Sequence, residues 1–235
     1  MEIPSTRNRR ILTLKLLKII ATKFIKPLLN WYLKKPHKYY YDGFKLIINP
    51  GVFHPGFFFS TKYFYSFIKK LNLTNQSALE IGSGSGLLSL LLSKKKCFVT
   101  AIDISELAIQ NTKLNFELNK NHLTSNFKII TSNLFENLQN NIYDLIIINP
   151  PYFFKDPINE SQKAWYCGNN GEYFDNLFSQ MQKHTHSKSL IYMILADNCD
   201  ITKITSIAQK YNCNFTKIES KKIFWETNYI YQLNY

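Results

Sequence analysis

Cysteine is scarce in this chain of 235 residues, and its spacing excludes the commonest metal-binding patterns. The four residues Cys97, Cys167, Cys199 and Cys213 form neither a C-x-x-C pair nor a Cys/His ligand set. Scattered cysteines of this kind are typical of a reducing compartment and give no indication of structural zinc. We therefore expect a cytoplasmic protein that needs no metal.

Long apolar runs are also lacking. Lys15 and Lys18 interrupt the most apolar part of the amino-terminal region, whereas a membrane span needs about 20 mostly apolar residues. Arg9-Arg10 before an apolar stretch resembles the start of a signal peptide, but no small-residue cleavage site follows. We expect neither an integral membrane span nor a signal peptide.

Acidic residues are outnumbered, and the imbalance is concentrated at the amino terminus. The chain has 29 Lys and Arg against 16 Asp and Glu, a net charge of +13. Residues 1–40 hold ten of the basic residues and only Glu2, which leaves +9 in that segment. Within it, Ile11 to Lys26 has helical periodicity and Pro27 ends or kinks the helix. We predict a basic helical segment over 1–40 and one domain over 41–235.

Three interpretations of the basic segment remain open from the residues alone. It could pack on the domain with its lysines in solvent, face a nucleic acid or another acidic surface, or lie on a membrane surface.

The strongest candidate for a reaction site is Asn149-Pro150-Pro151-Tyr152, which ends the apolar run Leu145–Ile148. A short β-branched run closed by prolines predicts a buried parallel strand with Asn149 at its carboxyl end. The Asn149 side-chain oxygen and the Pro150 carbonyl can both accept from one planar NH2 group, and Tyr152 can stack on that group. We predict a site that presents a planar nitrogen to an electrophile, with an ordinary Pro-Pro turn as the alternative.

A glycine-rich turn upstream predicts a nucleoside-type ligand. Strand-like residues 77–81 lead into Gly82-Ser83-Gly84-Ser85-Gly86, and a helical pattern follows. Such glycines allow a close backbone approach to a ligand at a helix amino terminus. Asp103 ends the next strand, 17 residues after Gly86, where a carboxylate can accept from both ribose hydroxyls.

The residues around this turn favour S-adenosylmethionine over NAD as the cofactor. Leu87 occupies the position of the third glycine in a dinucleotide fingerprint. Glu80 adds negative charge, which repels a pyrophosphate but suits an amino or sulfonium cation. Asn133, after the strand 127–131, is placed to accept from the adenine amino group.

The succession of strands and helices predicts the fold. Strands over 44–48, 77–81, 97–102, 127–131 and 145–148 alternate with helices over 61–70, 87–92 and 105–118. This order predicts an α/β fold with a doubly wound, mostly parallel sheet. In the third helix we expect Ser105 as the N-cap and the leucines to point inward (Leu107, Leu114 and Leu118).

A stretch rich in aromatics, 51–61, precedes the first helix of the domain. Its three consecutive phenylalanines, 57–59, predict either core beneath a lid or a wall over a bound cofactor. In the second case Ser60 or Thr61 is the helix N-cap near the carboxylate of the cofactor. We assign Phe53 and His54 to substrate binding.

Three motifs in this order resemble class I S-adenosylmethionine-dependent methyltransferases of the Asn-Pro-Pro-Tyr type: Leu79–Gly86, Ala101–Ser105 and Asn149–Tyr152. The greatest similarity is to the release-factor glutamine N5-methyltransferases. Segments 165–172, 191–198 and 221–230 resemble the Gly-rich segment, the next strand and loop, and the closing hairpin of that group. The resemblance covers about residues 41–235 and implies a Rossmann-like sheet of seven strands with an antiparallel carboxy-terminal hairpin.

The resemblance also implies roles for individual residues. It implies S-adenosyl-L-methionine as cofactor, and a monomer that needs no metal ion. Catalysis falls to Asn149, Pro150 and Tyr152, and substrate contacts to Pro151, Tyr152, Phe53 and His54. Cofactor contacts fall to Glu80, Gly82, Gly84, Gly86, Asp103, Asn133 and Asn149.

The substrate remains open between a protein glutamine and a nucleobase. Gly51-Val52-Phe53-His54-Pro55-Gly56 stands where bacterial release-factor enzymes carry an Arg-Pro-Glu-Thr type motif. It looks more like the ribosomal-RNA guanine-N2 branch. Our first choice is a glutamine amide of a protein such as a translation release factor, and the alternative is an exocyclic amine of RNA or DNA. A non-catalytic domain associated with nucleic acid or membrane is a third possibility.

Overall fold

The computed structural model describes residues 33–123, 126–224 and 226–235. Its centre is a seven-stranded sheet in the order β5-β4-β3-β6-β7-β9-β8. Neighbours among β3 to β7 pair in parallel, and β9 pairs antiparallel with both β7 and β8. The strands are β3 Ser77–Ile81, β4 Phe98–Asp103, β5 Phe127–Thr131, β6 Leu145–Ile148, β7 Leu190–Ala196, β8 Asn214–Ile223 and β9 Glu226–Asn234. The mostly parallel sheet with an antiparallel carboxy-terminal hairpin is confirmed.

Five α-helices accompany this sheet in the described part of the chain. They are α1 Phe59–Lys70, α2 Leu87–Lys94, α3 Glu106–Asn119, α4 Glu172–Met181 and α5 Ile201–Gln209. Short 3-10 turns occur at Lys120–His122, Glu160–Ala164 and Gln182–His184. The basic helix predicted over 11–26 lies outside the described residues.

The central strand β6 explains why the sheet is covered on both faces. Leu145 and Ile147 lie in a core cluster with residues of α1 and α2, whereas Ile146 and Ile148 lie in a second cluster with residues of α4 and α5. All four side chains are fully buried. A strand with two buried faces is apolar at every position, which is the pattern that the sequence shows.

A separate two-stranded hairpin precedes the sheet. β1 His37–Tyr41 pairs antiparallel with β2 Phe44–Ile48. β1 spans the expected boundary after residue 40, and the division into a basic segment and a domain stays a prediction. Alternate residues of β2 (Phe44, Leu46 and Ile48) are buried in the cluster with α1 and α2, which anchors the start of the 51–58 loop.

Helix α3 buries a different face from the one predicted. The three leucines expected to point inward are instead 53%, 37% and 45% exposed (Leu107, Leu114 and Leu118). The buried face is largely polar and carries Asn111, Thr112, Asn115 and Asn119. The prediction was wrong because these polar groups find hydrogen-bond partners in β2 and in the glycine turn, which apolar periodicity does not reveal. Ser105 is confirmed as N-cap, since its side chain accepts from the Ala108 N–H.

No helix in the portion of the chain that the structure describes has the length and apolar character to cross a bilayer.

Candidate active site

The strand ends that carry the predicted site residues lie side by side. Ile81 pairs with Ile102 on one side and with Ile148 on the other, so β3, β4 and β6 end at the same level. The segments that follow are therefore neighbours at the carboxyl edge of the sheet. This edge is where open α/β sheets bind ligands.

The glycine turn occupies the centre of that edge. All three glycines have positive φ angles: 80° for Gly82, 52° for Gly84 and 79° for Gly86. At Gly86 a Cβ would also lie 3.0 Å from Cγ2 of Thr112 on α3. The turn therefore needs glycine at this position for its backbone conformation and for the close approach of α3.

Asp103 is held at the end of β4 by backbone donors. Its Oδ2 accepts from the Gly84 N–H and its Oδ1 from the Ser105 N–H, both at 2.9 Å. Burial raises the pKa of this carboxyl, although the backbone hydrogen bonds oppose the shift. Each carboxylate oxygen can accept more than one hydrogen bond. Asp103 is thus oriented towards the glycine turn and retains capacity to accept hydroxyl groups.

Glu80 is a buried acid at the base of the same site. It is 4% exposed, and the Ser89 hydroxyl donates to its Oε2. Burial raises the pKa of Glu80 to about 8, while the Ser89 hydrogen bond lowers it. Placing a cation beside this carboxyl would favour its ionised form.

Asn149 directly follows β6 and is half-buried. Its Nδ2 donates to the Thr61 Oγ1 of α1 over a long distance of 3.4 Å. With the amide nitrogen turned to Thr61, the side-chain oxygen is the part of the amide left to accept from a substrate. Pro150 is buried beside it and offers a carbonyl without an N–H.

Tyr152 presents an aromatic ring next to these acceptors. Its ring packs edge-on to Phe153, with centroids 4.9 Å apart. Burial raises the pKa of the Tyr152 phenol above its usual range. Tyr152 is suited to stacking on a planar group rather than to accepting a proton.

These groups line one cavity of about 390 Å³. The volume is within the range of small-molecule and cofactor sites. The predicted site residues that line it are Phe53, Glu80, Gly82, Gly84, Asp103, Asn133, Asn149, Pro150, Pro151 and Tyr152, whereas Gly86 and His54 do not. Residues as far apart in the sequence as Phe53 and Tyr152 therefore line one cavity of a size that suits a ligand.

The loop 51–58, here named the aromatic loop, forms part of the cavity wall through Phe53. Phe53 stacks on Phe58 with centroids 4.3 Å apart and lies 5.2 Å from the ring of Trp165. Phe57 and Phe59 are each 41% exposed, so these two rings are not core beneath a lid. Phe53 lines the cavity, whereas Phe57, Phe58 and Phe59, the three residues of the alternative prediction of a wall, do not.

The predicted N-cap of α1 was wrong. The helix begins at Phe59, and the cap position, Phe58, makes no side-chain cap hydrogen bond. Ser60 and Thr61 lie instead in the first turn, where they are buried and line the cavity.

His54, a predicted substrate contact, does not line the cavity. It is 5% exposed, and its Nδ1 accepts from the Gly56 N–H. Its ring lies 5.3 Å from Tyr39 and 4.5 Å from Phe57. In this structure His54 supports the loop from beneath rather than facing a ligand.

Asn133 lies at the outer rim of the cavity. Its Nδ2 donates to Glu136 Oε1 at 2.7 Å. That contact turns the amide oxygen away from Glu136, so it is available as an acceptor for an amino group. This placement fits the predicted adenine contact, which stays a prediction.

The segment 153–168 contributes cavity residues that were not assigned to the site from the sequence. The Phe153 N–H donates to the Trp165 carbonyl, and the Cys167 N–H donates to the Phe153 carbonyl, each at 3.0 Å. This closure brings Trp165, Lys163 and Asp156 to the cavity lining. The only signal was the aromatic and glycine content of 165–171.

Within the described ranges, no three His, Cys, Asp or Glu side chains are grouped as metal ligands.

Comparison with known proteins identifies related sequences and structures. A model of the methyltransferase small domain family matches residues 43–165. A release factor glutamine methyltransferase of Fusobacterium nucleatum is 47% identical over 81 residues, 33% of this chain and 22% of that protein. A ribosomal RNA small subunit methyltransferase C of Buchnera aphidicola is 30% identical over 190 residues, 79% of this chain and 51% of that protein.

A solved structure shares the fold. It is a 16S rRNA methyltransferase of T. thermophilus in complex with AdoMet and guanosine, with a TM-score of 0.60 and 15% identity. The match covers 84% of this chain and 50% of that one. The chain spans between 21% and 56% of the length of the first curated relatives that it matches.

Proposed function

Because the chain belongs to the methyltransferase small domain family, we propose that it transfers a methyl group from S-adenosyl-L-methionine to a planar NH2 nitrogen. One observation carries the proposal. The glycine turn, Asp103 and the acceptors of Asn149-Pro150 line the same cavity at the carboxyl edge of the sheet. A cofactor site and an acceptor pair for a planar nitrogen thus adjoin.

The cavity residues fit each part of this cofactor. Asp103 would accept from the ribose hydroxyls, and Asn133 would accept from the adenine amino group. The buried Glu80 supplies negative charge for the amino or sulfonium cation. The glycine turn provides the close backbone approach. When bound, the cofactor supplies an electrophilic methyl group on its sulfonium.

The acceptors around Asn149 orient the nitrogen that is methylated. Asn149 Oδ1 and the Pro150 carbonyl would each accept a hydrogen bond from one N–H of the substrate nitrogen. These two hydrogen bonds would draw the lone pair of that nitrogen out of conjugation and direct it at the methyl group. Tyr152 stacks on the plane that carries the nitrogen, next to Pro151. Formation of the new N–C bond would break the S–C bond of the sulfonium, whose sulfur keeps the electron pair and leaves as a thioether, and the nitrogen would then release one proton.

We propose a glutamine amide of a protein, such as a translation release factor, as the substrate. The motif Asn149–Tyr152 suits a flat carboxamide, whose NH2 group carries two hydrogens for the two acceptors. The relative named as a release factor glutamine methyltransferase supports this choice, over 81 aligned residues.

A second candidate is the exocyclic amine of a nucleobase in RNA or DNA. The rings of Phe53 and Trp165 line the cavity and could stack on a base. The net charge of +13 suits a nucleic acid, with the basic segment 1–40 as a contact. The relative named as a ribosomal RNA methyltransferase aligns over 190 residues.

The test is methyl transfer from radiolabelled S-adenosylmethionine in a lysate of the source cell, with and without nuclease. Label in a nuclease-resistant protein band supports glutamine, and release-factor peptides with the glutamine replaced by asparagine then locate the site. Label lost on nuclease treatment supports the second candidate. The absence of cofactor binding by the purified protein would contradict the proposed activity and favour a non-catalytic domain.

A further inference from the structure

Helix α3 carries a buried stripe of four polar side chains, here named the polar stripe: Asn111, Thr112, Asn115 and Asn119. The first three are completely buried and the fourth is 3% exposed. Buried amides and hydroxyls are costly without hydrogen bonds. Their partners therefore show what the stripe does.

Three asparagines of the stripe pair with the backbone of β2 and of Asn49, which directly follows it, as a neighbouring strand would. Asn119 accepts from the Lys45 N–H and donates to the Lys45 carbonyl, at 3.0 and 2.8 Å. Asn115 accepts from the Ile47 N–H at 2.8 Å and donates to the Ile47 carbonyl at 3.0 Å. Asn111 accepts from the Asn49 N–H at 2.7 Å and also donates to the Ile47 carbonyl.

The spacing of the asparagines explains how a helix can cover the edge of a strand. Four residues of an α-helix rise about 6 Å, and two residues of a β-strand rise about 6.7 Å. Asparagines at every fourth position therefore match alternate residues along β2 and the residue that follows it: Lys45, Ile47 and Asn49. This match fixes the distance of α3 from the strand that leads into Gly51, Val52 and Phe53 at the cavity.

The same stripe also holds the glycine turn. The Thr112 hydroxyl donates to the Gly84 carbonyl at 3.1 Å. Because that hydroxyl has one hydrogen, the Ser83 hydroxyl is the donor in the 3.1 Å contact between the two. Asn115 Nδ2 donates to the Ser85 carbonyl at 2.9 Å.

Adjacent turns of helix α3 thus hold two segments that line the cavity: the loop that follows β2 and the glycine turn. Asn115 bonds to β2, which precedes the aromatic loop, and to Ser85 of the glycine turn. Asn119 makes the same pair of bonds with β2, and its further bond is to the Asn115 carbonyl. The two asparagines differ in whether they touch the turn.

We propose that Thr112 and Asn115 are positioning residues for the cofactor, which hold the carbonyl groups of the glycine turn at a set distance from β2 and the aromatic loop. The inference rests on the proposed cofactor site. Neither residue lines the cavity among those that the structure describes. Both act through the backbone of Gly84 and Ser85, which does line it.

The first test compares Thr112→Val with Thr112→Ser in the full chain. Valine keeps the shape of threonine and removes the hydroxyl, whereas serine keeps the hydroxyl. We expect the Kd for S-adenosylmethionine, measured by calorimetry well below the unfolding temperature, to rise about tenfold in the valine variant. We expect it to stay within about twofold of wild type in the serine variant.

The second test compares Asn115→Ala with Asn119→Ala. Each variant loses a pair of bonds to β2, so both should unfold at lower temperature. Only Asn115→Ala loses the Ser85 contact, and we expect its Kd for S-adenosylmethionine to rise several times more than that of Asn119→Ala. Both are measured at a temperature where circular dichroism shows a folded protein.

The outcomes separate this inference from the proposed function. Binding by wild type with an unchanged Kd in Thr112→Val would overturn the positioning role alone. So would equal weakening in Asn115→Ala and Asn119→Ala, since a general loss of stability explains that result. No binding by wild type would overturn the cofactor site and this inference together. If Asn115→Ala does not fold, the comparison of Thr112→Val with Thr112→Ser tests the positioning role by itself.

Discussion

At the scale of single residues, two groups of the site have environments that assign them different tasks. Asn149 is half-buried, and its nitrogen is turned to Thr61, so its chemistry is that of an oriented acceptor. Glu80 is buried next to Ser89, so its chemistry is that of a carboxyl whose charge depends on pH.

Substituting Asn149 with alanine should reduce kcat far more than cofactor affinity. The variant loses an acceptor that orients the nitrogen in the transition state, and such losses cost roughly 10²-fold or more in rate. Steady-state kinetics with the identified substrate, together with calorimetry of S-adenosylmethionine, measures both effects. Asn133→Ala is the matched control, since it should weaken cofactor binding and leave kcat near wild type. Unchanged kcat in the Asn149 variant would refute its catalytic role.

Cofactor affinity should increase with pH up to about 8. Burial raises the pKa of Glu80 from 4.5 to about 8 in the free protein, and a bound cation favours the ionised carboxylate. Below pH 8 binding must release the Glu80 proton, so the Kd falls as pH rises from 6 to 8 and then levels off. Calorimetry in buffers of different ionisation enthalpy reports that proton. A Glu80→Gln variant should lack this dependence, and an identical pH profile in both proteins would contradict the prediction.

The raised pKa of Glu80 has the opposite effect on the stability of the free protein, which should decrease as pH rises. A folded pKa above the unfolded value means that the native state holds a proton which the unfolded state releases between about pH 4.5 and 8. The contribution of Glu80 to the free energy of unfolding therefore declines as pH rises through that window. Urea titrations of wild type and Glu80→Gln at pH 5 and 8 should show a smaller decline in the variant. An equal decline in both would exclude Glu80 as its source.

At the scale of elements, α3 and the glycine turn constrain each other. Gly86 has a φ of 79°, and a Cβ there would lie 3.0 Å from Thr112 Cγ2. Two separable costs follow from adding a methyl group: backbone strain in the left-handed region and contact with the helix.

Gly86→Ala should lower the free energy of unfolding by about 1–2 kcal/mol from backbone strain, with a further cost from the contact. Adding Thr112→Ser removes Cγ2 and keeps the hydroxyl, whose oxygen lies 3.3 Å from the added Cβ, so the double variant should recover only the part of the contact cost that comes from Cγ2. Urea denaturation of the two single variants and the double variant gives the coupling energy. Additive effects would mean that Thr112 moves aside without cost.

At the scale of the whole molecule, charge distinguishes the two substrate candidates. Of the net +13, a charge of +9 lies in residues 1–40. A nucleic acid bound through several of these cations would release counterions, and its affinity would fall steeply with salt. Binding of a protein's glutamine side chain does not require the release of counterions, so it need not depend steeply on salt.

For the glutamine substrate, we expect kcat/KM to change little when the salt concentration is raised from about 50 to about 200 mM, because no phosphate contacts are involved. The triple variant Arg7→Gln, Arg9→Gln and Arg10→Gln should then behave as wild type. For single-stranded RNA, removal of three phosphate contacts would reduce the slope of log K against log salt by about 2. That second result would contradict the glutamine choice and support nucleic-acid contact by the basic segment.

Local patterns in the sequence determined the order of the elements and most of the candidate site. The apolar run before Asn149, the glycine turn and Asp103 are each recognisable over a few residues, because strand ends and tight turns impose constraints on neighbouring positions. The predicted strands 44–48, 77–81, 127–131 and 145–148 agree with the structure. Parallel pairing then brings the carboxyl ends of the last three to one edge, whereas 44–48 belongs to the separate antiparallel hairpin.

Tertiary structure alone decided the contacts between segments that are far apart in the chain. Thr61 meets Asn149 across 88 positions, and Trp165 joins Phe53 at the cavity. Helix α3 buries asparagines rather than leucines because β2 and the glycine turn provide partners for amides. A polar residue can be buried only where such partners exist, and their presence depends on how the whole chain folds. Helical periodicity therefore predicted the helix but not the face that it buries.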